Sequence, residues 1–300
     1  MDYENFSKKL IHSIQRNFID ENLLSKETKF VRAQYFFGLI SLLNKIINYF
    51  DFKNEIKFFN GKPYIKINNI YLQIVNQYFL KKVKKSFVSK ADLIILFLKK
   101  YNFQPKIIID IGACWGEYSL ILAKEYNDSE VYAVEGSSEN YKILCNNIDS
   151  KLNNINNIKT FNTIISDSND FKFIKNNIST TNFVKDEKDG NEAYYSQFSK
   201  VKSNKLSNFL LENKLNKIDF LKLDIEGHEL KLIKDLLNLD LKFGLIEIIN
   251  MNSIEKNCEF LNQLSLNYNL FDGKKFNLID EEKYKELVTN NFKNSLSFDI

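Results

Sequence analysis

The sequence predicts an α/β fold: a doubly wound, largely parallel sheet that follows an N-terminal extension of two helices and a β-hairpin. Three observations carry this prediction. From Lys106 onward, apolar runs of four to six residues alternate with stretches of helical periodicity, the pattern of strands buried on both faces with helices crossing between them. Residues able to do chemistry fall at the carboxyl ends of those runs, where open α/β sheets bind their ligands. Glycine is scarce, with nine glycines and two prolines in 300 residues. Collagen-like and linker-rich organisation is thereby excluded, and each glycine marks a place where the backbone has reason to need one. The 44% hydrophobic and 14% aromatic content excludes disorder as the main state.

Over residues 3–50 apolar side chains recur at intervals of three and four, as in Phe30, Val31, Phe37, Ile40, Leu43, Ile47 and Phe50. That spacing predicts two helices with a wide buried stripe, broken near residues 20–25. Residues 56–59 and 64–67 flank Asn60-Gly61-Lys62 and predict a hairpin, because Asn-Gly supplies the positive φ of a tight turn; a third short strand over 70–74 extends it. The basic run Lys81-Lys82-Val83-Lys84-Lys85 reads as a solvated face. A boundary near residue 80 divides the chain into an extension, 1–80, and an α/β domain, 81–300. In the domain a helix is predicted over 90–101. Strands from 107, over 131–134 and over 218–223 each precede a helix, near 117–125, 138–147 and 230–237, and a further strand covers 244–249. Residues 178–204, polar but carrying Tyr194, Tyr195 and Phe198, read either as a cover for an acceptor or as a solvated insertion.

The 42 basic residues nearly balance the 38 acidic ones, and all but Arg16 and Arg32 are lysine. A net charge of +4 is too mild to argue for nucleic acid, and a phosphate or guanine reader would hold more of the bidentate guanidinium. Cys114, Cys145 and Cys258 form no C-x-x-C pair, so neither a disulfide framework nor a zinc site is indicated. Residues 1–5 lack the basic start and apolar core of a signal peptide, and the longest uncharged stretch of the apolar N-terminal region, between Arg32 and Lys45, is twelve residues, short of the roughly 18 to 20 that cross a bilayer. A soluble, cytoplasmic protein is expected.

Three strand ends carry the chemistry. The first runs into Asp110-Ile111-Gly112-Ala113-Cys114-Trp115-Gly116. Gly112 and Gly116 allow a sharp turn and close approach of a ligand to the backbone, and the helix that follows offers unpaired N–H groups, although a plain strand-to-helix turn would use the same glycines. The spacing is not G-x-G-x-x-G, and Asp110 would repel a pyrophosphate, so a nicotinamide cofactor is disfavoured. The second strand ends in Glu135-Gly136, 25 residues beyond Asp110, where a carboxylate accepts from two vicinal ribose hydroxyls or caps the next helix. A nucleoside cofactor follows from the first role. The third such end is Asp224-Ile225-Glu226-Gly227-His228-Glu229. Its crowded carboxylates and imidazole pull pKa values apart and suit acid/base work. His228 is open to a structural reading as well. The same trio could hold a divalent cation, but no second cluster at fixed spacing supports it, and no metal is expected.

Asp-x-Gly-Ala-x-x-Gly at 110–116, Val-Glu-Gly at 134–136, Ser166-Asp167 after the third strand, and Lys222-Leu-Asp-Ile-Glu-Gly-His-Glu229 together resemble the FkbM family of S-adenosylmethionine-dependent methyltransferases over about residues 88–270. The last motif is the most specific of the four. The resemblance implies a Rossmann-like, seven-stranded class I methyltransferase sheet with its last strand antiparallel. It also implies a cofactor site for S-adenosylmethionine at Asp110, Gly112, Ala113, Gly116, Glu135, Gly136 and Asp167, with Glu135 on the ribose and Asp167 by the adenine amino group. Asp224, Glu226 and His228 are implied to face the methyl and the acceptor, His228 standing where the family commonly has a small residue. Trp115 either pads the methionine end of the cofactor or packs.

The implied reaction is O-methylation of a hydroxyl on a glycan, nucleotide-sugar or secondary metabolite, in keeping with polysaccharide biosynthesis. Asp224 or His228 would take the hydroxyl proton, and Glu226 would orient the base or the acceptor. A methyltransferase acting on a nucleic-acid amine is the alternative among enzymes, yet it calls for Asn/Asp-Pro-Pro-aromatic where Asp-Ile-Glu-Gly stands. A non-catalytic module is the alternative of another class, and the apolar N-terminal helices would then serve, as they would in a homodimer, to meet a partner.

Overall fold

The computed structural model describes residues 56–75, 90–175, 184–185, 198–249, 252–273, 275–293 and 298–299. The helices expected between residues 3 and 50, the lysine run at 81–85, and Tyr194 and Tyr195 lie outside the described residues.

The first described elements are three antiparallel strands, β1 (Ile56–Phe59), β2 (Lys62–Ile67) and β3 (Ile70–Gln73). Asn60 (φ +49°) and Gly61 (φ +71°) turn the first hairpin, and Phe59 pairs with Lys62 across it. Next come α1 (Lys90–Lys100), β4 (Ile107–Ile111), α2 (Glu117–Glu125), β5 (Glu130–Val134), α3 (Ser138–Ile148) and β6 (Ile158–Phe161). A second group of strands follows: β7 (Ile164–Ser166), β8 (Phe171–Lys175), β9 (Val184–Lys185) and β10 (Phe198–Lys205). The chain continues through α4 (Leu206–Glu212), β11 (Ile218–Leu223), a 3-10 turn (Glu229–Leu232), α5 (Ile233–Leu237), β12 (Leu241–Ile248), α6 (Ile254–Ser265), α7 (Glu281–Lys293) and β13 (Phe298–Asp299).

The main sheet has the order β6-β5-β4-β11-β12-β13. Its first five strands are parallel and β13 is antiparallel to β12. Six strands, rather than the implied seven, are present among the described residues. All six residues of β11 are buried, as befits a strand covered on both faces. The order reverses between β4 and β11, since one run of strands proceeds outward from β4 through β5 to β6 and the other from β11 through β12. That reversal is the switch point at which such sheets bind ligands.

Two hydrophobic clusters cover the sheet. One contains Ile109, Val134, Leu221, Leu223, Phe260 and Tyr284; the other contains Ile108, Leu120, Val131 and Phe220 together with Ile65, Ile70 and Leu72 of the small N-terminal sheet and Ile74 just after it. The described part of the extension therefore shares its core with the α/β domain. Backbone bonds fasten it further: Tyr71 N–H donates to Asn153 Oδ1 at 2.6 Å and Gln73 N–H to Asn147 Oδ1 at 2.8 Å.

Three sequence expectations need correction. Residues 198–205, read as part of an insertion, form β10, which pairs parallel to β7 and antiparallel to β8. Only Ser203 of β10 is buried, so the strand lacks the apolar alternation that would announce it. The chain also leaves the main sheet after Phe161 to make β7, so Ser166 and Asp167 follow a strand of the second sheet and not the third strand of the main one. The helix expected over 230–237 opens as the 3-10 turn.

Candidate active site

The loop after β4 and the chain after β11 meet at the switch point. Gly112 has φ +80°, and a Cβ placed on it would stand 1.8 Å from the carbonyl oxygen of Asp224, a separation only glycine permits. The amides of Gly112 and Ala113 both donate to Val134 O at 2.9 Å, and Asp224 N–H donates to Ile111 O at 3.1 Å. Backbone thus ties the ends of β4, β5 and β11 into one surface. Gly116 (φ +86°) begins α2, where a Cβ would meet Leu144 Cδ1 at 2.5 Å.

Glu135 closes the β5 side. Its Oε2 accepts from Cys114 N–H at 2.8 Å and its Oε1 from Ser137 N–H at 2.7 Å, so the side chain joins the first and second loops. Capping of α3 is done by Ser137, whose side chain accepts from Asn140 N–H. Burial pushes the Glu135 carboxyl up to about 7, against the two backbone donors and Lys222, which favour its charge. Each oxygen accepts one protein N–H, and a carboxylate oxygen can accept two bonds. Gly136 packs on Ile164 and Ile174 of the second sheet. Asn162, which the sequence did not single out, donates to the carbonyls of Glu135 (2.8 Å) and Gly136 (3.2 Å). Asp167 is exposed and accepts from Ser166 Oγ at 3.0 Å.

Of the two roles open to Trp115, packing is the one observed: the side chain is 5% exposed, belongs to the second hydrophobic cluster, and donates from its indole nitrogen to Asn140 Oδ1 at 3.0 Å.

Asp110 has no exposed surface. Ser119 Oγ donates to its Oδ2 at 2.6 Å, and its Oδ1 lies 3.2 Å from Lys222 Nζ. The carboxylate supports the loop after β4 from behind, and its charge is met by Lys222, where the sequence suggested a ligand-facing carboxylate. Lys222 is itself buried. Its ammonium donates to Gly112 O at 3.0 Å, lies 3.4 Å from Asp224 Oδ2, and sits 4.9 Å from the Tyr118 ring centre. Burial opposes its charge, but Asp110 and Asp224 outweigh burial and hold its pKa above the usual lysine value.

Beyond β11 the chain turns through Glu226 (φ +54°) and Gly227, a left-handed conformation uncommon for a glutamate. The Asp224 side chain is 29% exposed, Glu226 is half-buried and His228 is 8% exposed. Glu229 is buried; its Oε1 accepts from Ile225 N–H at 2.7 Å and holds the turn closed. Burial first, then the charges of Asp224 and Glu247, raise its carboxyl to about 8. Lys222 and Glu229 were present in the sequence motif without a role. A lysine between Leu221 and Leu223, near the carboxyl end of a wholly buried strand, was the available signal for the first. Among the described residues no group of three or more His, Cys, Asp and Glu side chains could hold a metal ion, and no helix is long and apolar enough to cross a membrane.

A family model described as a methyltransferase FkbM domain matches residues 110–269, the stretch from the first site residue to past the last. No curated protein matches the chain. Among solved structures, the chain is similar to a precorrin-6y C5,15-methyltransferase from Geobacter metallireducens at 12% identity, over 57% of this chain and 69% of that one, with a TM-score of 0.35. It is similar to a methyltransferase FkbM from Methylobacillus flagellatus at 14% identity and a TM-score of 0.34, over 54% of this chain and 37% of that one. A SAM-dependent methyltransferase from Aquifex aeolicus gives 16% identity and a TM-score of 0.32 over 59% and 73%. The chain thus spans little more than a third of the FkbM structure it matches.

Proposed function

Because this chain belongs to the FkbM methyltransferase family, we propose that it is an S-adenosylmethionine-dependent O-methyltransferase whose acceptor is a sugar hydroxyl of a surface glycan, a nucleotide-sugar or a secondary metabolite. The observation that carries this reading is the closure of Gly112 onto the Asp224 carbonyl at the switch point, which sets a nucleoside-type loop directly beside a cluster of ionisable groups. The residues present fit the cofactor. Glu135 has an acceptor position left on each oxygen for a ribose hydroxyl, and the glycine loop leads into the N-terminus of α2.

In this reading S-adenosylmethionine supplies an electrophilic methyl on a sulfonium. Gly112, Ala113 and Gly116 let the backbone approach it, Asp110 holds that loop from behind, Glu135 and Gly136 take the ribose side, and Asp167 takes the adenine edge. The acceptor hydroxyl gives its proton to Asp224 or His228 while Glu226 orients it. The exposure of Asp224 and its place beside Gly112 favour Asp224 as the group nearest the acceptor. The free state of Cys114, Cys145 and Cys258 supports a reducing, cytoplasmic setting, and the apolar helices expected over 3–50 are the proposed dimer contact.

Titration calorimetry of the full chain with S-adenosylmethionine and with S-adenosylhomocysteine tests the cofactor, and transfer of labelled methyl into sugar and amine acceptors tests the chemistry. Saturable heat and label in a hydroxyl are expected. Absence of binding, or label in an amine alone, would overturn the respective part.

A further inference from the structure

Lys222 stands between the two flanks of the site, and its contacts go to both. On the cofactor side its ammonium donates to Gly112 O and faces Asp110; on the acceptor side it faces Asp224. The bond to Gly112 is the instructive one. The same peptide unit has its other end, the Ala113 N–H, on Val134 O, so one peptide plane of the cofactor loop is clamped between β5 and the Lys222 ammonium. A buried ion pair is weak evidence for stability, since an apolar pair of similar volume often serves as well or better. Leu221 and Leu223 on the same strand are fully buried and show what that alternative would look like. A lysine at this position calls for a reason other than folding energy.

We infer that Lys222 is a positioning residue that couples the two flanks: by holding the Gly112 carbonyl and the Asp224 carboxylate on one ammonium, it makes the placement of the cofactor loop and of the acceptor-side carboxylate a single event. This rests on the methyltransferase reading given above. The two substrates' half-sites then communicate through one atom, Nζ of Lys222, and a perturbation of Asp224 is felt in cofactor affinity although Glu135, the proposed ribose ligand, lies on the opposite flank.

The experiment is a calorimetric cycle on the full chain, with S-adenosylhomocysteine as the probe and thermal unfolding measured in parallel. Asp110→Asn/Lys222→Met removes the fully buried pair together, so no fully buried member of it is left unpaired, while Asp224, 29% exposed, loses the ammonium but keeps access to water. Its affinity is expected to fall at least about tenfold. Asp219→Asn is the control. Asp219 lies at the far end of β11, where it accepts from Lys106 N–H (2.7 Å) and Ile107 N–H (3.0 Å); its loss lowers the unfolding temperature and leaves affinity within about twofold. Asp224→Asn closes the cycle, weakening the probe about threefold with Lys222 in place and having almost no effect in the paired variant. Wild-type affinity in the paired variant, an equal loss in the Asp219 control, or an Asp224→Asn effect that is absent or the same in both backgrounds overturns the inference. Should the wild-type chain take up neither S-adenosylhomocysteine nor S-adenosylmethionine, the cofactor reading and the inference fall together, an outcome distinguishable from the others because no variant is needed to see it.

Discussion

The two flanks of the switch point are held by different chemistry. On the β4–β5 flank the loops are joined chiefly by backbone: two amides share Val134 O, a glycine allows a carbonyl to come close, and the Glu135 side chain gathers two further N–H groups. On the β11 flank the chain is held by ionisable side chains, with Lys222 between two aspartates and Glu229 closing the turn. Backbone and glycine make a fixed, shape-selecting surface, which suits a nucleoside. Carboxylates around a lysine make a surface whose charge can be redistributed, which suits proton removal. Under the proposed function the contrast puts binding on one flank and chemistry on the other, and it can be broken by experiment.

The largest effect is expected on the charged flank. Asp224→Ala should lower methyl transfer by about 10²–10⁴-fold, the range of a positioned general base, while leaving S-adenosylhomocysteine bound; a variant with near-wild-type turnover would move the base to His228, which His228→Ala then checks. On the backbone flank Gly112→Ala combines an unfavourable positive φ with a methyl driven into the Asp224 carbonyl, and should cost about 3 kcal/mol of stability and abolish cofactor heat. Unaltered binding by that variant would show that the two loops are not locked together. Glu135→Gln keeps the shape and removes the charge; a loss of about tenfold in cofactor affinity is expected from its charge-assisted bonds, with turnover at saturating cofactor nearly unchanged.

The smallest effect is a pH dependence of opposite sign on the two quantities. Glu135 and Glu229 are raised from 4.5 to about 7 and about 8 by burial. In the folded chain they keep protons that the unfolded chain has released, so the contribution of these groups to stability is greatest below about 4.5 and is lost as pH rises through 7 to 8. Cofactor affinity should move the other way by a few fold across pH 6 to 8, because the ionised Glu135 is the better ribose acceptor. Thermal unfolding and calorimetry over that range check both slopes; Glu135→Gln should flatten the affinity slope and leave in the stability slope the part carried by Glu229.

How legible all this was in the sequence follows the same division. Features set by local pattern were readable: the Asn60-Gly61 hairpin, the helix at 90–100, and the strands at 107–111, 130–134 and 218–223, each marked by an apolar run or a turn dipeptide. The glycine loop was readable because the chain otherwise avoids the residue. Features set by distant partners were not. Lys222 meets Gly112 across 110 residues of sequence, and nothing local says that the intervening chain brings them together. The second sheet escaped for a related reason: six of the eight residues of β10 are lysine, serine or asparagine and only Ser203 is buried, so its place is decided by β7 and β8. Asp110 shows the same dependence at a single residue. Its position was read correctly as the end of the first strand, but whether a carboxylate there faces a ligand or a buried ammonium depends on a residue of another strand.

The chain contains fifteen tyrosines but one tryptophan, and that indole, in the loop after β4, is bonded to Asn140 of α3. Light selectively absorbed by tryptophan is therefore emitted from a single address, between the loop after β4 and the head of α3. The molecule carries its own optical gauge: a change of environment at the loop alters the emission of the whole protein, without a label and without an assay for the acceptor.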